Sequence, residues 1–276
     1  MRIFAFADEA SPLIDGQIAA MARNGLAGLE IRGVDGCNVS DITPQKAREV
    51  RSKLNDAGLI TWSVGSPIGK IGIEEDFPAH LDKLRRTLEI AHILGAEQIR
   101  MFSFFMPKED DPCVWRNKVL DQLWQMTELS ADSGIVLCHE NEKGIYGDIA
   151  ARCAEIHQAI PALKAVFDPA NFVQCGQDTL TAWELLRPYV KYLHIKDALA
   201  DGNVVPAGCG IGHVPEILRA YRAAGGRDMT LEPHLAVFDG LQGLEREGDT
   251  SLVGQYVYPS NDAAFDAACT ALKNLL

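Results

Sequence analysis

Four acidic or imidazole side chains stand at or near the ends of apolar segments in the second half of the chain. Glu140 closes the segment VLCHE, Asp168 closes AVFD, His194 lies within YLHIK, and Glu232 closes TLE. Each segment is typical of a strand in a parallel sheet. If the strands form a barrel, their carboxyl ends meet at one mouth, which is where such barrels carry their active sites.

Three carboxylates and one imidazole at one place repel one another unless a positive charge lies among them. A divalent cation would provide that charge, and an oxygen-rich donor set with one nitrogen favours manganese, magnesium or cobalt over a structural zinc ion. Each residue alone also fits a local role, because an acidic strand end often caps a helix and an inward histidine is often only hydrogen-bonded in the core. Four such residues at the same ends of consecutive strands indicate a metal site.

Alternation along the strands sorts the neighbours of these residues. With Glu140 directed into the barrel, Cys138 points the same way and His139 points toward the covering helices. With His194 directed inward, Lys196 is directed inward as well. We expect Cys138 to be a buried, inert thiol beneath Glu140.

Glycine and proline residues divide the chain into repeating units. Five short apolar runs begin just after a glycine that follows a helical stretch, and two more follow a proline, so each joint is expected to end a helix and begin a strand. The glycines expected to take the left-handed helix-stop conformation are Gly25, Gly58, Gly95, Gly134 and Gly226. With the opening run, eight strands are predicted, at residues 3–7, 28–32, 59–64, 98–102, 135–140, 165–168, 192–196 and 229–232.

The order of these elements predicts the fold class α/β and, within it, a (β/α)8 TIM barrel. Eight strand–helix units in 276 residues give about 35 residues each, which suits a barrel of about 250 residues. An open doubly wound sheet is the competing fold, but no GxGxxG motif follows the first strand. No linker or low-complexity tract divides the chain, so residues 1–276 are expected to form a single domain. Long loops at residues 65–77 and 234–259 are expected at the mouth as candidate lids.

The composition excludes several classes of protein. The chain has 26 Lys plus Arg against 38 Asp plus Glu, and its formal net charge of −12 disfavours non-specific nucleic-acid binding. No apolar run approaches the roughly 18 residues that a membrane span needs, and the first residues lack the apolar core of a signal peptide. The 7 cysteines form no CxxC pair, so neither a disulfide framework nor a zinc ribbon is expected. We therefore expect a cytoplasmic protein with no nucleic-acid or membrane partner.

The motifs around the four residues resemble those of the xylose-isomerase-like sugar phosphate isomerase/epimerase family. These motifs are LCHEN, FDPAN, HIKD and LEPH, together with the glycine pair in PAGCG. The resemblance implies a TIM barrel with one divalent metal ion, commonly Mn²⁺, with Mg²⁺, Co²⁺ or Zn²⁺ as alternatives. It implies that Glu140, Asp168, His194 and Glu232 hold this ion. Members of the family are often dimers or tetramers, so a homo-oligomer is expected.

The resemblance also implies that two glutamates exchange a proton with a small-molecule sugar substrate. In the epimerases of this family one glutamate acts from each face, and in this chain those positions are Glu140 and Glu232. The metal would bind the carbonyl oxygen and a neighbouring hydroxyl of a keto-sugar and acidify the adjacent C–H. One glutamate would then remove the proton to give a metal-bound enediolate, and the other would return it. The expected activity is that of a sugar isomerase or epimerase.

Two positions depart from the ketose epimerases of the family. Those enzymes usually carry a histidine three residues after the strand-six aspartate, where this chain has Asn171, and an arginine after the strand-seven histidine, where it has Lys196 and Asp197. A keto-sugar, a keto-inositol or an oxidised glycoside therefore fits at least as well as a free ketohexose. Lys196 either orients a substrate hydroxyl or assists a leaving group, or it forms a salt bridge at the barrel rim. Asp197 is expected to cap or pair locally.

Three further residues are candidate substrate contacts. Asn171 stands at a strand end, His234 lies in the loop after the last strand, and Trp62 could form an apolar floor for a sugar ring. The alternatives are turn formation for Asn171, no role for His234, and packing in the barrel core for Trp62. Glu9, just past the first strand, either reaches the mouth or is solvated.

Two other functions stay open from the sequence. A dehydratase or lyase acting on a keto-inositol or an oxidised glycoside would begin with the same proton abstraction and then expel a neighbouring substituent. A catalytically idle sugar-binding subunit would keep the fold without turnover, although all four expected ligands are present. The endonuclease branch of this fold uses several zinc ions held by many histidines and a basic surface, whereas this chain has 7 histidines and a net charge of −12, which argues against that branch.

Overall fold

The eight predicted strands are present and close into a parallel barrel. The computed structural model describes residues 1–239, 241, 253 and 256–276. The barrel strands are β1 (Arg2–Ala5), β2 (Gly28–Ile31), β3 (Ile60–Gly65), β4 (Gln98–Met101), β5 (Val136–Glu140), β6 (Lys164–Phe167), β7 (Val190–Ile195) and β8 (Asp228–Leu231). Consecutive strands are neighbours, and β8 pairs with β1 to close the ring, with Ile3 opposite Met229. The predicted (β/α)8 fold class is confirmed.

Helices connect the strands and cover the outside of the barrel. They are α1 (Ile14–Arg23), α2 (Pro44–Asp56), α3 (Phe77–Leu94), α4 (Pro112–Ser130), α5 (Ala150–Ala159), α6 (Pro169–Gln174), α7 (Thr179–Leu186), α8 (Val214–Ala223) and α9 (Asn261–Lys273). The short helix α6 begins directly after β6, and Asp168 is its N-terminal capping residue. Within the described part of the chain, no helix is both long and apolar enough to cross a membrane.

Two short hairpins extend the loops at the mouth of the barrel. Residues Gly33–Val34 pair with Cys37–Asn38 after β2, and Asp197–Ala198 pair with Val204–Val205 after β7. Both hairpins follow the carboxyl ends of strands. They therefore lie on the side of the barrel that carries the four candidate ligands.

Apolar side chains fill the barrel interior below the ligand layer. A buried cluster contributed by β1, β3, β5, β6 and β7 consists of Phe4, Trp62, Cys138, Val166 and Tyr192. The rings of Phe4 and Trp62 stack with centroids 4.6 Å apart. A second, larger cluster packs the strands against the helices. The four candidate ligands lie beyond this cluster, at the carboxyl end of the barrel.

Some predicted boundaries differ from those of the structure. β1 ends at Ala5 rather than at residue 7, and β7 begins at Val190 rather than at residue 192. Four of the five predicted helix-stop glycines have positive φ, but the fifth is Gly225 (φ +90°) and not Gly226. A Cβ at Gly226 would lie 2.4 Å from the Tyr221 ring, so this glycine permits close packing instead. In the predicted loop at residues 234–259, positions 240, 242–252, 254 and 255 lie outside the described residues.

Candidate active site

The four candidate ligands converge at the carboxyl end of the barrel. Glu140 is the last residue of β5, His194 lies near the end of β7, and Asp168 and Glu232 directly follow β6 and β8. Each offers one ligand atom, and these four atoms all lie within 4.8 Å of one another. All four side chains are buried. The convergence follows from the position of each residue at the same end of neighbouring parallel strands.

Asp168 is held by the turn from β6 into α6. Its Oδ1 accepts a hydrogen bond from the backbone N–H of Asn171 at 3.0 Å. The side chain of Asn141 makes two hydrogen bonds to the Asp168 backbone, at 2.9 and 3.0 Å. These contacts fix the carboxyl group, so that Oδ2 lies 3.0 Å from the ammonium of Lys196.

Lys196 reaches into the centre of the ligand set. Its Nζ lies 3.0 Å from Asp168 Oδ2 and 2.9 Å from Glu232 Oε2, and the side chain is buried. Burial alone would lower the pKa of Lys196, but the carboxylates of Asp168 and Glu232 outweigh it and raise the pKa. Lys196 is therefore a cation that forms salt bridges inside the site. Its contact with a substrate stays a prediction.

Burial and neighbouring charges set the protonation of the acidic ligands. Burial, opposed by Lys196 and aided by neighbouring carboxylates, raises the pKa of Asp168 to about 7. Burial acts on Glu232 as well, but Lys196 and His234 outweigh it and hold the pKa of Glu232 well below its usual range. Glu232 is therefore ionised at neutral pH, whereas Asp168 titrates near it.

His194 lies between carboxylates on both sides of its ring. Its Nδ1 is 2.9 Å from Glu140 Oε1 and 3.6 Å from Glu232 Oε2, and its Nε2 is 3.1 Å from Glu30 Oε2. Burial lowers the pKa of His194, but Glu140 and Glu30 outweigh burial and raise the pKa well above its usual value. The ring is thus oriented with Nδ1 toward the other ligands.

Two arginines that sequence reasoning did not single out contact the acidic ligands. Arg100, on β4, places its Nε 3.2 Å from Glu140 Oε2, and its guanidinium lies 4.6 Å from the centre of the Phe102 ring. Arg32, directly after β2, places NH1 3.2 Å from Glu232 Oε1. Both arginines are buried. In the sequence, the signal for these two arginines is the presence of a charged residue within or just after an apolar strand.

Glu9 and His234 form a further acidic and imidazole pair beside Glu232. The backbone N–H of His234 donates to Glu9 Oε2 at 2.6 Å, and its ring Nδ1 lies 2.9 Å from Glu9 Oε1 and 3.8 Å from Glu232 Oε1. Arg32 also contacts Glu9, at 3.0 Å. Glu9 therefore reaches the mouth and is not solvated, and His234 lies at the site.

A small cavity of about 60 Å³ adjoins the ligand set. Asn171 lies in its wall, with Nδ2 2.9 Å from the Asn141 carbonyl oxygen and 3.4 Å from Glu140 Oε1. Both charge types line this cavity: Arg32, Lys70, Arg100, Lys143 and Lys196 with Glu140, Glu142 and Glu232. Such a wall suits a polyhydroxylated or charged small molecule, because its charged and amide side chains offer many hydrogen-bonding groups beside the apolar side chains of Phe102, Val204, Leu241 and Val253.

Trp62 lies away from this cavity, in the barrel core. It is 4% exposed and stacks on Phe4, and the cavity wall formed by the described residues does not include it. Trp62 therefore packs in the barrel core and does not form the predicted apolar floor for a sugar ring, because its ring lies below the ligand layer. Cys138 is in the same cluster, and burial raises the pKa of its thiol, as expected of an inert group. His139 faces away from the barrel interior, with its Nε2 3.0 Å from Ser103 Oγ.

The glycines of the PAGCG segment bind the Asp197 carboxylate and do not line the cavity that the described residues form. The Asp197 carboxylate accepts backbone N–H bonds from Gly208 and Gly210 of this segment at 2.9 and 3.0 Å, and from Gly212 just after it at 2.9 Å. A Cβ at Gly210 would lie 2.3 Å from Asp197 Oδ1, so this approach requires glycine. Asp197 thus fixes the loop after β7, which is a local role of the kind expected from its outward parity.

The donor set fits a divalent cation. Three carboxylates and one imidazole nitrogen lie close enough to surround one ion, and this mixture suits Mn²⁺ or Mg²⁺. Lys196 contacts two of the same carboxylates, so an ion would share them with its ammonium. The buried cluster can therefore bind a metal ion.

A closed parallel barrel with an acidic centre at its carboxyl end has the arrangement of TIM-barrel enzymes, which carry their active sites at this face. Within this class, the family model for the xylose isomerase-like TIM barrel matches residues 18–247. The chain belongs to this family, and the resemblance seen in the sequence motifs is confirmed.

Individual relatives carry different activities. The chain is 21% identical to a 3-dehydroshikimate dehydratase of Bacillus anthracis over 206 residues, which cover 74% of this chain and 70% of the relative. The match to the crystal structure of the probable 3-DHS dehydratase from Bacillus anthracis covers 99% of this chain and 98% of that chain, with 19% sequence identity and a TM-score of 0.73. The match to the crystal structure of the 3-keto-D-glucoside 4-epimerase from E. coli covers 100% of this chain and 98% of that chain, with 16% sequence identity and a TM-score of 0.70. At these identities the structural likeness shows the shared fold alone.

Proposed function

We propose that the protein is a divalent-metal-dependent sugar isomerase or epimerase that removes a proton next to the carbonyl of a keto-sugar. The observation that carries the proposal is the convergence of Glu140, Asp168, His194 and Glu232 beside a cavity lined by charged side chains. Proton abstraction next to a carbonyl needs a positioned base and positive charge near the oxygen that becomes negative. The glutamates and the surrounding cations meet these two needs.

The metal ion would be held by the same four residues, and we propose Mn²⁺. The support is the donor chemistry, because three carboxylate oxygens with one imidazole nitrogen suit this ion. When bound, the ion supplies the Lewis acidity that polarises the carbonyl group.

Glu232 and Glu140 are the proposed proton acceptor and donor. Glu232 directly follows β8 and Glu140 ends β5, and β6 and β7 lie between these two strands in the barrel. The two carboxyl groups therefore approach the cavity from different strands. Glu232 is ionised at neutral pH, since Lys196 and neighbouring histidines outweigh burial and lower its pKa. It can therefore accept a proton from carbon, while Glu140 returns one to the other face.

Lys196, Asn171 and His234 are the proposed substrate contacts. All three lie in the cavity wall and carry polar N–H groups. We propose that they bind the hydroxyl and carbonyl oxygens of the substrate and so select its orientation. The expected homo-oligomeric state and cytoplasmic location are part of the same proposal.

A dehydratase or lyase is the second candidate, on a keto-inositol or an oxidised glycoside. The observation that favours it is the Lys196 ammonium, which lies on the cavity wall only 2.9 Å from the base Glu232. Glu232 would take the C–H proton, the C–O bond would break as the C=C bond forms, and Lys196 would give its proton to the departing hydroxide as water. The dehydratase activity of the Bacillus anthracis relative agrees with this candidate.

Proton exchange in D₂O tests both candidates. The Mn²⁺-loaded protein is incubated with keto-sugars, 3-keto-glucosides, keto-inositols and 3-dehydroshikimate, and the small molecules are analysed by NMR after metal removal. An isomerase or epimerase incorporates deuterium and yields an isomer, whereas a lyase yields an unsaturated product. Glu232→Gln should abolish either signal, and His139→Gln, on the outer face of β5, should retain it. Undiminished exchange by Glu232→Gln would contradict the proposed base.

A further inference from the structure

Glu30 is a fully buried carboxylate beneath the ligand layer. It lies on β2 with 0% of its surface exposed. The hydroxyl of Tyr192 donates to Oε1 at 2.9 Å, the hydroxyl of Thr230 donates to Oε2 at 2.7 Å, and Nε2 of His194 lies 3.1 Å from Oε2. Side chains from two strands, β7 and β8, therefore fix this one carboxylate in place.

This carboxylate has no place in the reaction proposed above. It does not belong to the wall of the cavity among the described residues, so it has no route to a substrate. A buried carboxylate costs stability unless its hydrogen-bonding capacity is satisfied. Of its three partners, only His194 belongs to the candidate ligand set.

The two ring nitrogens of His194 have different surroundings. Nδ1 faces Glu140 Oε1 at 2.9 Å and Glu232 Oε2 at 3.6 Å, which are carboxylates of the ligand set. Nε2 faces Oε2 of Glu30, which also accepts the Thr230 hydroxyl, while the Tyr192 hydroxyl donates to Oε1. An ionised carboxylate only accepts hydrogen bonds, so Nε2 must carry the proton in this contact.

We infer that Glu30 is a positioning residue of the metal centre: it accepts the Nε2 proton of His194 and thereby presents Nδ1 to the ion. The inference rests on the proposed function, since it needs a metal at the four ligands. A carboxylate behind a ligating histidine fixes the tautomer and the ring orientation and increases the basicity of the ligating nitrogen. No local pattern in the sequence indicates this pairing, because Glu30 and His194 are 164 residues apart.

The first test is ¹⁵N NMR of the imidazole rings in the full-length protein loaded with diamagnetic Zn²⁺. The inference predicts that Zn²⁺ shifts the Nδ1 signal of His194 and that Nε2 keeps a bonded proton. A ring with Zn²⁺ on Nε2 and the proton on Nδ1 would overturn it. This measurement needs no variant of Glu30, so it decides the question even if such a variant fails to fold.

The second test compares the Zn²⁺ affinities of Glu30→Gln and Ser63→Ala with that of the wild type. Ser63 is the matched control, because it is buried and contacts Tyr192 at 3.3 Å without contacting His194. Glu30→Gln is expected to weaken binding by about 10- to 100-fold and to change the His194 Nε2 proton signal, while Ser63→Ala changes neither.

Two outcomes separate the inference from the proposed function. A folded Glu30→Gln protein with wild-type Zn²⁺ affinity would refute the positioning role and leave the metal site intact. A wild-type protein that binds neither Zn²⁺ nor Mn²⁺ would overturn the metal-dependent function and the inference together.

Discussion

Metal affinity is expected to rise steeply with pH, because the ion must displace protons from two of its ligands. Burial, aided by neighbouring carboxylates, raises the pKa of Asp168 to about 7, so this carboxyl group is partly protonated at neutral pH. His194 carries an additional proton, since Glu140 and Glu30 outweigh burial and raise its pKa. Both protons compete with the ion, and both are lost more easily as the pH rises.

The size of the effect follows from these two groups. A carboxyl group with a pKa of about 7 changes the apparent affinity by about 10-fold between about pH 6 and about pH 8. Displacement of the His194 proton adds about 10-fold per pH unit while that histidine stays protonated. Together they give a gain of more than 10-fold over the two pH units, with about two protons released per ion at about pH 6 and fewer at about pH 8.

Isothermal titration calorimetry with Mn²⁺ measures both quantities when it is repeated in buffers of different ionisation enthalpy. Asp168→Asn removes a ligand and one titrating proton, so it should bind more weakly and release about one proton at about pH 6. His139→Gln should keep the wild-type pH dependence, because this residue faces away from the site. An affinity that is flat across this pH range, or binding without proton release, would refute the reasoning.

Three more predictions concern single residues. Lys196→Gln should bind Mn²⁺ as tightly as the wild type or more tightly by calorimetry, because a competing cation is removed. The same variant should have a turnover rate lower by about 100-fold or more. Weaker Mn²⁺ binding by Lys196→Gln would contradict the charge argument. Arg32→Met should lower the free energy of unfolding in urea by about 3–5 kcal/mol, because it leaves buried carboxylates unpaired, whereas Arg2→Met, in an exposed ion pair, should cost at most about 1 kcal/mol. Burial lowers the pKa of His157 to about 4, so the unfolded state takes up a proton at this residue at a higher pH than the folded state does. The free energy of unfolding should therefore fall by about 3 kcal/mol as the pH drops from about 6.5 to about 4. His157→Gln should lose this part of the acid sensitivity.

The fold and the ligand set were accessible from the sequence because their signals are local. Every strand after the first follows a glycine or proline joint, and each of the four ligands stands at or near the end of an apolar run. Parallel strands of a barrel end at one mouth, so local positions were enough to bring Glu140, Asp168, His194 and Glu232 together. The strand ends were less predictable, because they depend on which residues find a hydrogen-bonding partner on the next strand.

The contacts around the ligands required the closed barrel. Glu30 reaches His194 from β2, and Arg32 reaches Glu232 across 200 residues of sequence. A charged residue in a strand does not reveal its partner until the ring of strands is closed. For Trp62 the sequence left two positions open, and the structure places it in the core, stacked on Phe4.

Metal stoichiometry tests the central claim most directly. The wild type, Asp168→Ala and His139→Gln are loaded with Mn²⁺, desalted and measured by elemental analysis, with folding checked by circular dichroism. Four convergent ligands predict about one ion per chain in the wild type and in His139→Gln, and its loss from a folded Asp168→Ala protein. Equal metal content in the wild type and Asp168→Ala, or none in any of the three, would contradict a metal centre at these four residues.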